Sequence, residues 1–323
     1  MPSFAGRTFK FDEGAVLMLE KHKTGLDHPE QSLRSSFIFK KFKESNLLKD
    51  AQKIPLRNCN MNELSLVHKI DYLQSSRNEI ENGYQHLSTG DTSVCKQSWE
   101  VASFATGGVL NAVEKVVAGT LNNAFCITRP PGHHANSEKG MGFCIFNHVA
   151  IAARYAQAKL GIGKILIVDW DVHHGNGTQD IFYDDDSVFF FSTHQAPWYP
   201  GTGNPEETGK GRGLGSNLNF PFSSGAGRKE ILDYAFFSEL TKKMTQFKPE
   251  LILISAGFDS RIDDPLGQFR LEDQDFFALT KLILNVANDY AGGRVVSVLE
   301  GGYNLDGLAS ASVAHFQAMM EGN

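Results

Sequence analysis

Six of the eleven histidines in this 323-residue chain (His133, His134, His148, His173, His174 and His194) fall between residues 133 and 194, where an even spread would place about two. Imidazole both ligates divalent metals and moves protons near neutral pH, so such a cluster points to a metal site, to acid-base catalysis, or to both. Two phrases carry it: Thr128-Arg-Pro-Pro-Gly-His133-His134, and Asp169-Trp-Asp171-Val-His173-His174-Gly-Asn176. Asp171 and His173 are one residue apart, so in an extended segment both side chains point to the same side and can grip one ion. Asp259, in Ser-Ala-Gly-Phe-Asp-Ser, offers a third ligand. An Asp, His, Asp set leaves a tetrahedral ion one open position, as a catalytic site requires, and it suits Fe²⁺ as well as Zn²⁺. Either aspartate alone reads equally as a helix cap or a loop acid. The tandem His133-His134 follows Pro130-Pro131-Gly132, a rigid turn in which adjacent imidazoles can work as a proton-transfer pair. Asp169 and Asn176 are placed to orient their far nitrogens. Leu299-Glu-Gly-Gly-Tyr303 is a common turn by itself, yet it could swing a phenol over the same edge to donate to a carbonyl oxygen.

These residues need a scaffold that brings distant segments to one edge. From about residue 100 the chain alternates helical periodicity with short buried-type runs, the pattern of βα units around a mostly parallel sheet. Strands are expected at 124–128, 164–169, 188–193, 251–255 and 294–299, with helices at 98–118, 147–160, 229–247, 272–290 and 305–320. In the first helix Val101, Ala105, Val109, Ala112 and Val116 share one face, and Ser98 is a candidate N-cap. The informative histidines and acids follow predicted strands, where open α/β sheets place their ligands. Residues 1–95 are less regular, with helical stretches near 33–44 and 62–81. The uninterrupted alternation favours a single domain.

Composition excludes several classes. With 31 Lys plus Arg against 37 Asp plus Glu, a formal charge of −6 gives no global attraction to nucleic acid or to anionic membranes. The four cysteines (Cys59, Cys95, Cys126, Cys144) form no C-x-x-C pair, which argues against a disulfide framework and a thiolate zinc cage. Asp12 and Glu13 interrupt any signal-like apolar core, and no apolar run is long enough to span a bilayer. The chain therefore reads as cytoplasmic.

PPGHHA, GFCIFN, IVDWDVHHGNGTQ, SAGFDS and LEGGYNL, in this order and spacing, resemble the zinc-dependent histone deacetylase superfamily, in particular its class II and bacterial deacetylase-like branch. The similarity runs from His28-Pro29-Glu30 to the C-terminal helix. It implies the arginase/deacetylase α/β fold: one domain over 1–323, with a central, mostly parallel sheet of about eight strands flanked by helices. It implies that Asp171, His173 and Asp259 bind one Zn²⁺ and that Tyr303 polarises the acyl carbonyl for attack by water. His134 would be the general base and then the acid, and His133, paired with Asp169, would stay electrostatic. Asn176 stands where the class I branch has Asp, and an amide stabilises an imidazolium less, so His134 should deprotonate more easily. Phe143 and Tyr199 match the family's channel walls, Gly142 the carbonyl that accepts the substrate amide N–H, and Asp91 the rim aspartate. Structural K⁺ is implied at carbonyls of Asp169, Asp171, His173 and Thr193 with the Ser192 hydroxyl, and a second K⁺ at Phe182, Asp185 and Val188.

The partner so implied is an acylated lysine in a protein or peptide. A binuclear arginase-type hydrolase is disfavoured because Gly175 stands where that motif needs a second bridging aspartate. An acetylpolyamine or other small acetylated amine is the nearer rival. Leu266 occupies the position at which polyamine-selective relatives resemble one another in carrying glutamate, and a neutral gatekeeper gives a polycation nothing to pair with. A non-catalytic acyl-lysine binder would show a broken constellation, whereas Tyr303 is present where weakly active relatives carry His.

Overall fold

The computed structural model describes residues 9–10, 13–25, 27–49, 51–54 and 56–322. Asp12, invoked above against a signal segment, lies outside them. The strands are β1 (Phe9–Lys10), β2 (Gln52–Lys53), β3 (Asn123–Cys126), β4 (Ile165–Asp169), β5 (Val188–Gln195), β6 (Asn217–Phe222), β7 (Leu251–Ala256) and β8 (Val295–Leu299). Six of them form one all-parallel sheet in the order β3-β8-β7-β4-β5-β6. The expected sheet of about eight strands is thus corrected to six, since β1 and β2 pair with each other in a separate two-stranded ribbon. All five strands anticipated from the sequence are present, shifted at their ends by a residue or two. The unanticipated one, β6, reads Asn-Leu-Asn-Phe-Pro-Phe; it lies at the sheet edge, where Pro221 deprives no second neighbour of a hydrogen bond.

Because every strand of the main sheet runs the same way, all their C-terminal ends open at one edge. β3, β4, β7 and β8 are fully buried, as strands covered on both faces must be. The helix Ser98–Val117 packs against His148–Leu160, and Leu305–Glu321 against both Asp273–Tyr290 and Leu33–Glu44. In the helix Ser98–Val117 the stripe Val101, Ala105, Val109, Ala112 and Val116 is buried as expected. Ser98, however, is no N-cap: the helix starts at Ser98 itself, whose hydroxyl accepts the Cys95 N–H at 2.8 Å and meets His22 Nδ1 at 2.7 Å. The stretch anticipated near 62–81 is two helices, Met61–Leu64 and Ile70–Glu81, because the Lys69 backbone turns extended and donates to the Ser137 carbonyl at 2.7 Å.

The irregular first segment is tied to the sheet by ions. Glu30 Oε1 lies 2.6 Å from Arg129 Nε and 3.2 Å from Arg34 Nη1, and Oε2 lies 2.8 Å from Arg129 Nη2. All three side chains are fully buried. Arg34 in turn donates to the carbonyls of Gly302 (2.7 Å) and Glu300 (2.5 Å), beyond the end of β8. Burial alone would raise the Glu30 pKa, but the Arg129 charge and the neighbouring His22 hold it well below the usual carboxylate range. A carboxyl with a depressed folded-state pKa stabilises the fold above its unfolded value, about 4.3, and loses that contribution as the pH falls. We predict that Glu30→Ala, which strands two buried guanidinium groups, lowers the unfolding free energy by about 3–5 kcal/mol in denaturant titration. Wild type should also lose stability below about pH 4 more steeply than Glu30→Gln.

Candidate active site

β4, β7 and β8 are neighbours in the sheet, and the loops leaving them meet above it. Ligand atoms of Asp171 and His173, just beyond β4, and of Asp259, beyond β7, lie within 4.8 Å of one another, all buried. The segment 171–173 is bent rather than extended, correcting the geometry inferred from the one-residue spacing. Asp171 Oδ1 accepts the His173 N–H at 2.9 Å, and this turn, not strand alternation, brings the two side chains together. His173 Nδ1 is 2.9 Å from Asp171 Oδ1 and 3.2 Å from Asp259 Oδ2. The other Asp171 oxygen accepts from Gly301 N (2.8 Å), and Asp259 Oδ1 from Val172 N (2.8 Å). Asp259 Oδ2 is buried and makes no hydrogen bond, its nearest charged neighbour being the His173 ring within the triad. A Cβ at Gly301 would stand 1.9 Å from that oxygen and 2.6 Å from Asp171 Oδ2, so only glycine lets the loop after β8 close over the acids.

Electrostatics in the triad are those of a site short of positive charge. Burial opposes charging His173, yet its close contacts with the carboxylates of Asp171 and Asp259 push its pKa up to about 10. Burial and the Asp171 charge push Asp259 up to about 7. A divalent cation would take the place of these protons, and two carboxylates with one imidazole are a donor set that Zn²⁺ accepts. The residues therefore fit the metal.

His133 and His134 stand beside the triad, their ring centroids 4.0 Å apart. Their turn is held by Glu300, whose Oε2 accepts the N–H groups of Gly132 (2.6 Å) and His133 (3.1 Å). His133 Nδ1 is 2.9 Å from Asp169 Oδ2, and His134 Nδ1 is 2.8 Å from Asn176 Oδ1. The pair is electrostatically split. Burial works against charging both rings, but the carboxylates of Asp169 and Asp171 raise His133 well above its ordinary value. For His134, burial and then the charges of His133 and His173 press the pKa well below it.

A channel of about 260 Å³ leads down to these groups, lined by Asp91, His134, Gly142, Phe143, His173, Trp198, Tyr199, Leu266 and Tyr303. Gly142 and Phe143 both adopt positive φ (56° and 67°), which turns the Phe143 ring to within 6.0 Å of Tyr303. A Cβ on Gly142 would collide with the His134 ring at 2.3 Å. Asp91 accepts the Gly142 N–H at 2.6 Å, and Tyr199 on the far wall stacks edge-on 5.1 Å from His134. Burial keeps the Tyr303 phenol well above its ordinary pKa, hence protonated. At the mouth, Trp198 Nε1 donates to the Leu266 carbonyl at 2.8 Å.

All the residues singled out for catalysis, metal and substrate therefore meet at one site. Sequence reasoning missed Trp198, for which Pro197-Trp198-Tyr199-Pro200 was the available signal, and Glu300, a charged residue ending a buried strand. The other three clustered histidines lie elsewhere: His148 contacts the Pro130 carbonyl (3.0 Å), His174 Thr202 (2.7 Å) and His194 the Gly203 carbonyl (3.0 Å). Around the positions implied for K⁺, the Ser192 hydroxyl meets His194 Nδ1 at 2.9 Å, and Thr193 Oγ1 is buried without a partner. In the second set, the Phe182 carbonyl accepts the Asp185 N–H at 3.0 Å, and Val188 opens β5.

The chain is similar to several known proteins. The chain is 37% identical over 313 residues to "Histone deacetylase 14, chloroplastic" of Arabidopsis thaliana, covering 91% of this chain and 73% of that protein. It is 36% identical over 290 residues to a "Probable deacetylase" of Archaeoglobus fulgidus, covering 89% and 79%. Among solved structures, the crystal structure of the HDA15 HD domain superposes with a TM-score of 0.90 at 33% identity, over 98% of this chain and 89% of that one. No helix among the described residues is long and apolar enough to cross a membrane. The histone deacetylase domain profile matches residues 28–319, a span that takes in every group of the channel and the triad, and on these grounds the chain belongs to the histone deacetylase family.

Proposed function

We propose that this hydrolase removes acetyl groups from acyl-lysine side chains with the help of one Zn²⁺. The reading is carried by one observation: His134, His173 and Tyr303 all line the same narrow channel. Asp171, His173 and Asp259 would hold the ion, which when bound supplies a Lewis acid at the channel floor. His134 gives its Nδ1–H to Asn176 and so presents the Nε2 lone pair inward. With its pKa depressed it is neutral at pH 7, able to take a proton from water and pass it to the departing amine. His133, held protonated by Asp169 and Asp171, adds fixed positive charge beside the developing oxyanion. The protonated Tyr303 hydroxyl donates to the acyl oxygen as negative charge grows there.

Phe143 and Tyr199 would flank the aliphatic stem, with the Gly142 carbonyl accepting the substrate amide N–H and Asp91 engaging the substrate backbone at the rim. Leu266 puts an apolar side chain at the gatekeeper position where polyamine-selective relatives carry glutamate, so Asp91 is left as the carboxylate of the channel lining, which favours acyl-lysine over a small acetylated amine. Structural K⁺ at the β4 and β5 ends is part of the same proposal and rests on the family resemblance. We place the protein in the cytoplasm on its four free thiols, a placement that fits any reducing compartment.

Three outcomes test this reading. Tyr303→Phe should lower turnover of an acetyl-lysine peptide by roughly 10²- to 10³-fold, chelator should abolish wild-type turnover, and N-acetylputrescine run in parallel should be the poorer substrate. Preferential turnover of the polyamine would overturn the substrate assignment. Asn176→Asp should raise the His134 pKa; since the base must be neutral, the acidic limb of the kcat/KM profile should move to higher pH, and a stationary limb would refute the tuning. Gly301→Ala should give a folded chain with bound zinc well below one per molecule by mass spectrometry.

A further inference from the structure

Asp264 lines neither the channel nor the triad, yet it is 7% exposed and spends both oxygens on the backbone of two residues that do line the channel, Tyr303 and Leu266, and of Asn304 beside them. Its Oδ2 accepts the N–H groups of Tyr303 (2.7 Å) and Asn304 (3.2 Å), and its Oδ1 accepts that of Leu266 (2.9 Å). The Leu266 carbonyl takes the Trp198 indole N–H. Tyr303 follows Gly301-Gly302, with φ of +120° at Gly302, a pair that imposes little restraint of its own. The phenol is thus placed by what grips its backbone, on one side Arg34 at the Gly302 carbonyl and on the other Asp264.

We propose that Asp264 is a positioning residue, whose carboxylate fixes where the Tyr303 hydroxyl points in the channel and locks that position to the Leu266 and Trp198 rim. The proposal rests on the reading of Tyr303 as the carbonyl donor. Three N–H donors converge on two acceptor oxygens, so an amide cannot replace the carboxylate: one of its ends is an NH₂ that meets an N–H head-on. A displacement of about 1 Å in a catalytic group costs on the order of a hundredfold in rate.

The test is a double-mutant cycle on acetyl-lysine peptide: wild type, Asp264→Asn, Tyr303→Phe and the double variant, with products followed by mass spectrometry over hours so that residual turnover is measured. Bound metal and melting temperature are recorded for each. Asp264→Asn should lose kcat about a hundredfold with KM and metal content little changed, and should cost nothing further once Tyr303 is Phe. An equal loss in both backgrounds, or an unchanged kcat in the single variant, overturns the proposal. Wild-type kcat in Tyr303→Phe alone would instead refute the donor reading on which it stands. Should Asp264→Asn fail to fold, Asp264→Glu keeps both oxygens and the charge but moves them by about one bond, 1.5 Å. It should show the same kcat loss, again absent in the Tyr303→Phe background; a loss that persists there overturns the proposal.

Discussion

Carboxylates taken out of water at one edge of the sheet are the constraint to which the rest of the structure answers. Asp169, Asp171, Asp259 and Glu300 are fully buried there and Asp264 nearly so. An unmatched buried carboxylate costs several kcal/mol, so each must find a partner. Asp169 has His133; Glu300 has the backbone N–H groups of the dihistidine turn and the Ser255 hydroxyl; Asp264 has three N–H groups. Asp171 and Asp259 share one imidazole, and the surplus charge shows in Asp259 and Glu300, both held near 7 by burial and by neighbouring acids or despite neighbouring histidines. A parallel sheet can gather such groups because its strands all end on the same side, and a divalent ion held by the triad would bring the charge towards balance.

The N-terminal hundred residues belong to the same solution. Among their described residues only Asp91 lines the channel, yet they supply Glu30 and Arg34, which reach under the ends of β3 and β8. Arg34 also lies over the Tyr303 ring at 5.1 Å, so the cation that secures the glycine turn packs against the phenol it carries.

Much of this is legible in the sequence. Short-range signals read well: five of six sheet strands, the buried stripe of the long helix, and the histidine and aspartate phrases. What escaped were features fixed by tertiary partners. β6 carries two asparagines and Pro221, poor strand formers, and it becomes a strand only because β5 offers an edge. Ser98 has the chemistry of a cap, but its hydroxyl is claimed by His22 from a distant segment. The break at residues 65–69 follows from a carbonyl at Ser137, far along the chain. Glu300 and Asp264 looked like ordinary acids because their function lies in which backbone amides they hold, and sequence spacing carries no trace of that.

The glycines of the channel floor have a consequence for how such a protein can diversify. At Gly301 and Gly142 the nearest neighbours of a missing Cβ are the triad acids and the His134 ring, so almost any replacement strikes the chemistry itself. Trp198 and Tyr199 at the mouth are more than a third exposed, and Leu266 meets its neighbours there largely through backbone atoms. Genetic drift is therefore filtered unequally along a few ångströms of depth: the floor admits almost no variation, while the mouth can change residue by residue and let one hydrolytic centre pass to new substrates.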